Sequence, residues 1–114
     1  MALNEKLTNR VREALMNVPK VEEKRMFSGI TFMVSGKMCI SVGDNRIMCR
    51  IDPSIHNQVL KEKSCETVIM KGREYKGYVY VKEDKITTKE DFDYWIALAL
   101  NFNKKAKASI RKAK

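Results

Sequence analysis

Between Arg25 and Ile51 the chain places three short strand-like runs so close together that tight turns must join them. Arg25 to Val34 is rich in β-branched and aromatic residues, and Gly29 inside it signals a bulge or a close backbone approach. Ser35-Gly36 makes a two-residue turn into Lys37–Val42, where Met38, Ile40 and Val42 alternate with Lys37, Cys39 and Ser41. Gly43-Asp44-Asn45 then leads to Arg46–Ile51, with Ile47, Cys49 and Ile51 on one face and Arg46, Met48 and Arg50 on the other. Such spacing leaves no room for a crossover helix, so the three runs read as an antiparallel meander.

Helical patterns flank this meander. Leu7, Val11, Ala14, Leu15 and Val18 mark an amphipathic helix over Leu3–Val18, with Asn4 as N-cap and Pro19 as terminator. Lys20-Val21-Glu22-Glu23-Lys24 reads as a polar spacer. Asp52-Pro53 opens a second helix whose apolar face is Ile55, Val59 and Leu60. Glu66–Lys71 reads as a fourth strand, Gly72–Gly77 as a loop and Tyr78–Lys82 as a fifth strand. Thr88 with Asp91 starts the last helix, and Phe92, Trp95, Ile96, Ala99 and Phe102 line its core stripe. The expected fold is a two-layer α+β domain of order α-β-β-β-α-β-β-α with a five-stranded antiparallel sheet. Helices cover one sheet face and leave the other to solvent or a partner.

At 114 residues and 44% hydrophobic, the chain is long enough for one core and too apolar for a disordered segment. It divides into a domain over residues 1–103 and a basic C-terminal tail over 104–114. Of the formal +9 charge, Lys104, Lys105, Lys107, Arg111, Lys112 and Lys114 supply six, leaving +3 for residues 1–103. A basic tail attracts nucleic acid or anionic surfaces, or simply solubilises a helix end. No stretch approaches the roughly 18 apolar residues of a membrane span, and the first residues lack the apolar region of a signal peptide. A cytoplasmic protein is expected. Cys39, Cys49 and Cys65 form no C-x-x-C pair, and with His56 they are too scattered for a four-ligand zinc site. Reduced thiols, no metal and no cofactor are the expectation.

No residue pattern points to catalysis. His56 is expected to face solvent beside Ile55, Val59 and Leu60. The carboxylate pairs Glu22-Glu23 and Glu90-Asp91 fit a polar spacer and a helix start, and Gly72 and Gly77 carry no phosphate-loop fingerprint. A nucleic-acid binder has more behind it: Lys71, Arg73 and Lys76 in the hairpin, Arg46 and Arg50 in the third run, the tail, and Tyr75, Tyr78 and Tyr80 as stacking rings. An interaction module is favoured, because an uncovered sheet face suits a homodimer or a protein partner, with Met26 and Met48 as adaptable apolar contacts.

The run Arg25-Met26-Phe27-Ser28-Gly29-Ile30-Thr31-Phe32-Met33-Val34-Ser35-Gly36-Lys37-Met38-Cys39 resembles the opening of the N-terminal domain of the TfoX/Sxy family. Ile47–Pro53 is similar to that family's third strand and helix entry, Met70–Val81 to its "GRPMKGYVYV" hairpin, and Asp93–Leu100 to its tryptophan helix. The resemblance spans roughly residues 10–103; Ser28 replaces a frequent Gly and Glu74 a frequent Pro. It implies the same element order and a non-enzymatic role like that of bacterial competence regulators, which act with a cyclic-AMP receptor protein at promoters. Such members carry a second, C-terminal domain; this chain is expected to stand alone without it. The implied function is a regulatory or protein-interaction module with a partner in the transcription machinery; the open sheet face adds the expectation of a homodimer, and the basic tail that of weak non-specific nucleic-acid affinity. The alternative is a nucleic-acid-binding protein using the basic tail and hairpin.

Overall fold

Six strands form a single sheet in the order β1-β2-β3-β4-β6-β5, antiparallel at every pairing. The computed structural model describes residues 4–26 and 29–105, without the side chains of Met26 and Met70. The elements are α1 (Glu5–Ala14), β1 (Val21–Met26), β2 (Gly29–Val34), β3 (Lys37–Val42), β4 (Arg46–Arg50), a 3-10 turn at Pro53–Ile55, α2 (His56–Glu62), β5 (Glu66–Met70), β6 (Arg73–Lys82), a second 3-10 turn at Glu83–Lys85, and α3 (Lys89–Asn103).

The caps behave as their chemistry dictates. Asn4 accepts a hydrogen bond from the Leu7 amide at 3.0 Å, and Thr88 Oγ1 accepts one from the Asp91 amide at 3.1 Å. Each satisfies a donor that a helix start leaves free. Asn4 also donates through Nδ2 to Asp44 O at 2.7 Å and Glu83 Oε1 at 2.9 Å, tying α1 to the β3–β4 turn. Asp52 Oδ1 accepts from the Ser54 amide at 2.9 Å and starts the 3-10 turn that leads into α2.

Two stretches depart from the expected five strands. Val21–Lys24 is not a spacer but most of β1, paired with β2 from Val21↔Val34 to Met26↔Gly29. An edge strand pairs on one side only, and Glu22, Glu23, Lys24 and Arg25 give it the charge that discourages further pairing. That charge hides the strand from a hydrophobic-alternation reading and makes Arg25–Val34 look continuous. Similarly, Arg73–Gly77 is the first half of β6, because the turn is confined to Lys71 (φ 53) and Gly72 (φ 76). Both lie in the left-handed region that two-residue hairpins require.

α1 and α3 cover one face of the sheet. Leu7, Val11 and Leu15 meet Phe32, Ile40, Val42, Ile47, Val79 and Val81, and Phe92, Trp95, Ile96 and Ala99 of α3 join the same core. Ladder register shifts between Phe32 and Met33, so Phe32 faces Ile40 while Met33 faces Met38. The bulge leaves Cys39 beside Ile40 in the helix-side core and sends Met38 to the opposite face, which corrects the simple alternation expected for β3. The end of α3 is pinned by Asn103 Nδ2 donating to Val34 O at 3.3 Å and Lys37 Nζ donating to Asn103 O at 2.7 Å.

Candidate docking face of the sheet

The face turned away from the helices carries its own small core. Met33, Met38, Met48 and Val68 are buried there, with the half-buried rings of Tyr78 and Tyr80 packed against them. Met48 is only 3% exposed, so it fills this core and does not offer the adaptable surface contact expected of it. The Met26 side chain lies outside the described residues. Deeper in the face, the Thr31 and Ser41 hydroxyls bond each other at 2.9 Å.

Over this layer stand cations. The guanidinium of Arg46 lies 3.5 Å from the Tyr80 ring centroid, and that of Arg50 lies 5.7 Å from both the Tyr78 and Phe102 rings. Arg46 and Lys82 are directly opposite in the β4–β6 ladder, a like-charge pair that costs stability. Arg50 Nη1 is buried without a hydrogen-bond partner. Among the described residues the salt bridges join Arg12 to Glu23, Lys89 to Asp93 and Lys105 to Asp52, and none uses Arg46, Arg50 or Lys82. The cations of this face therefore form no salt bridge among the described residues, although Glu66 sits opposite Tyr80 in the β5–β6 ladder.

The sequence-predicted cations separate into groups. Lys71 and Arg73 are exposed at the β5–β6 tip, whereas Lys76 stands next to Gly77, whose carbonyl accepts from the Ile51 amide at 2.7 Å. Lys104 and Lys105 are exposed at the end of α3, and Lys105 Nζ lies 3.6 Å from Asp52 Oδ2. The root of the tail and the base of the hairpin thus meet at the Arg50 end of the sheet. Lys107, Arg111, Lys112 and Lys114 lie outside the described residues. Only tertiary contacts create this grouping; no sequence spacing announces it.

His56 does not face solvent. It is fully buried, its Nδ1 accepts from the Gly77 amide at 2.9 Å, and its Nε2 pairs with Thr67 Oγ1. An accepting Nδ1 puts the ring proton on Nε2, so the neutral ring staples α2 to the β5–β6 hairpin. Burial, then the nearby Lys76 charge, lower its pKa, with Glu74 opposing. The unfolded chain therefore binds a proton that the native state resists. Stability should be intact above about pH 6.5 and fall as pH drops below it toward the folded-state value. Because this is the only histidine, urea titrations between pH 7.5 and 5.5 isolate it. His56→Leu should cost about 1–3 kcal/mol at pH 7.5 by orphaning the Gly77 amide, and should flatten that pH dependence. An unchanged slope would assign the dependence elsewhere.

Other reactive side chains are equally committed to structure. Burial pushes the Cys39 thiol up to about 12, with Arg50 opposing, and raises Cys49 and half-buried Cys65 as well. Raised thiols are poor nucleophiles. A cleft between α1 and α3 is lined by Lys6, Arg10, Glu13, Lys89, Phe92 and Asp93. Its central Arg10 is already spent, donating to Ile86 O at 2.7 Å and covering the Phe92 ring at 4.1 Å. No helix among the described residues is long and apolar enough to cross a membrane.

Fold and site together define a small two-layer α+β domain with a helix-covered face and an open, cationic and aromatic one. The chain belongs to the TfoX N-terminal domain family, whose model matches residues 13–103. No curated protein and no solved structure matches it.

Proposed function

We propose that the chain is a non-enzymatic regulatory module that works by docking a partner macromolecule on the open face of its sheet. One observation carries the reading: Arg46 and Arg50 stand over half-exposed rings, with Lys82 opposite Arg46 in the ladder, and none of the three makes a salt bridge among the described residues. Arginine and aromatic side chains are enriched at binding surfaces. The committed states of His56 and the three thiols support a role other than chemistry. A regulatory role in transcription, as in competence regulators, is the form this takes for a TfoX-like domain.

Photo-crosslinking in cells tests the reading. A benzophenone amino acid in place of Lys82, on the open face, should give discrete adducts to one macromolecule. The same probe in place of Lys89, on the first turn of α3, should give none above background. An adduct with a second copy would establish the expected homodimer. Adducts from the helix side alone would overturn the assignment of the face.

A further inference from the structure

We infer that the open face binds single-stranded nucleic acid, stacking bases on the Tyr78, Tyr80 and Arg46 planes and placing phosphates on Arg50 and Lys82. This rests on the docking reading and names its partner. Register places Lys24, Arg46, Arg50 and Lys82 on this face against Glu22 and Glu66, and neither acid pairs with them. The face is positive where it is also aromatic.

The geometry favours unpaired bases. Tyr78 and Tyr80 are alternate residues of β6, so they share one face about 6.7 Å apart, a step that one nucleotide of an extended strand can span. The Arg46 guanidinium lies 3.5 Å from the Tyr80 ring centroid, and bases stack on guanidinium planes as well as on rings. A duplex hides the base faces that such a platform would use. Arg50 is partly exposed and makes no salt bridge among the described residues, so its guanidinium charge is left for a phosphate. An anion between Arg46 and Lys82 would also relieve their cross-strand repulsion.

Other occupants fit less well. A second copy would bring the same cations against their own images. An acidic peptide would neutralise the charge but leave the rings unused. Phe102, next to Arg50, sits in the last turn of α3, so the exposed Lys104 and Lys105 that follow it add positive charge at the edge of the face.

Fluorescence anisotropy with a labelled oligothymidylate of about 12 nucleotides, within the usual site sizes, tests the inference on the full chain. It should bind tighter than a duplex of equal length. Each phosphate contact contributes about −0.7 to the slope of log affinity against log salt for a single strand, so Arg50→Ala with Lys82→Ala should flatten that slope by about 1.4. Tyr80→Ala should weaken binding by about 5- to 150-fold, while Tyr80→Phe keeps it. The double cation variant keeps the test decisive if Tyr80→Ala disturbs the methionine core. Replacing Lys107, Arg111, Lys112 and Lys114 with Ala should weaken binding but preserve the single-strand preference. Equal affinity for duplex, or loss through the tail variant alone, would overturn the inference. If oligonucleotide affinity is absent but the probe at position 82 traps a protein, the docking reading stands and this inference falls. If both fail, both fall.

Discussion

Gly29→Ala is expected to destabilise the domain by more than about 3 kcal/mol, the upper range for overpacking a close-packed site. A Cβ at position 29 would lie 1.8 Å from Val42 O, 2.9 Å from Val42 C and 3.3 Å from Gly43 Cα. All of these are backbone atoms, so no side chain can swing aside. Relief requires parting β2 from β3 next to the Ile30↔Val42 pair. That ladder also sets the register that puts Met33 opposite Met38 beneath the docking face, so the strain reaches both faces of the sheet. The control is Gly36→Ala in the β2–β3 turn, where nothing lies within 4 Å and only the positive φ of 76° is paid for, at about 1 kcal/mol. Urea midpoints at constant slope measure both. A Gly29→Ala protein within about 0.5 kcal/mol of the parent would show that the strands do not approach as described.

The elements legible in the sequence are those fixed by local chemistry. Asn4, Asp52 and Thr88 announce helix starts, Ser35-Gly36 announces a turn, and the Phe92–Trp95–Ile96–Ala99 stripe announces a core helix, all as found. Gly29 signalled a close approach, and Val42 is what it approaches. β1 is hidden because Glu22-Glu23-Lys24-Arg25 is a continuous charged run with no hydrophobic alternation, and an edge strand needs no apolar stripe on both sides. The burial of His56 has its cause in helix phase. The Pro53–Ile55 segment is 3-10, with three residues per turn, so a helical pattern started at Asp52 loses phase before α2 begins. Of the site, Arg46, Met48 and Arg50 were visibly on one strand face. That Met48 is buried under rings while the arginines stay outside depends on Tyr78 and Tyr80, which are far along the chain. Likewise, the β5–β6 hairpin and the end of α3 meet at β4 only because Ile51 bonds Gly77 and Asp52 holds Lys105.

Trp95→Ala should cost about 3–5 kcal/mol, the usual range for truncating a large buried aromatic. The side chain is 3% exposed in the helix-side core, and the Tyr94 ring meets it edge-on with centroids 5.1 Å apart. Truncation leaves a cavity in the cluster that also holds Phe92, Ile96 and Ala99. For a domain of this size each kcal/mol lowers Tm by about 4–8 °C, so the fall should be at least about 12 °C. The loss has a boundary. α3 packs on one face of the sheet and the Arg46–Tyr80 stack lies on the other, so at a temperature where the variant remains folded its oligonucleotide affinity should stay within about twofold of the parent, less than about 0.5 kcal/mol. Far-ultraviolet circular dichroism in the same buffer establishes that it is folded. Affinity lost from a folded Trp95→Ala protein would mean that binding depends on the helix layer, and the division of the sheet into a structural face and a docking face would not hold.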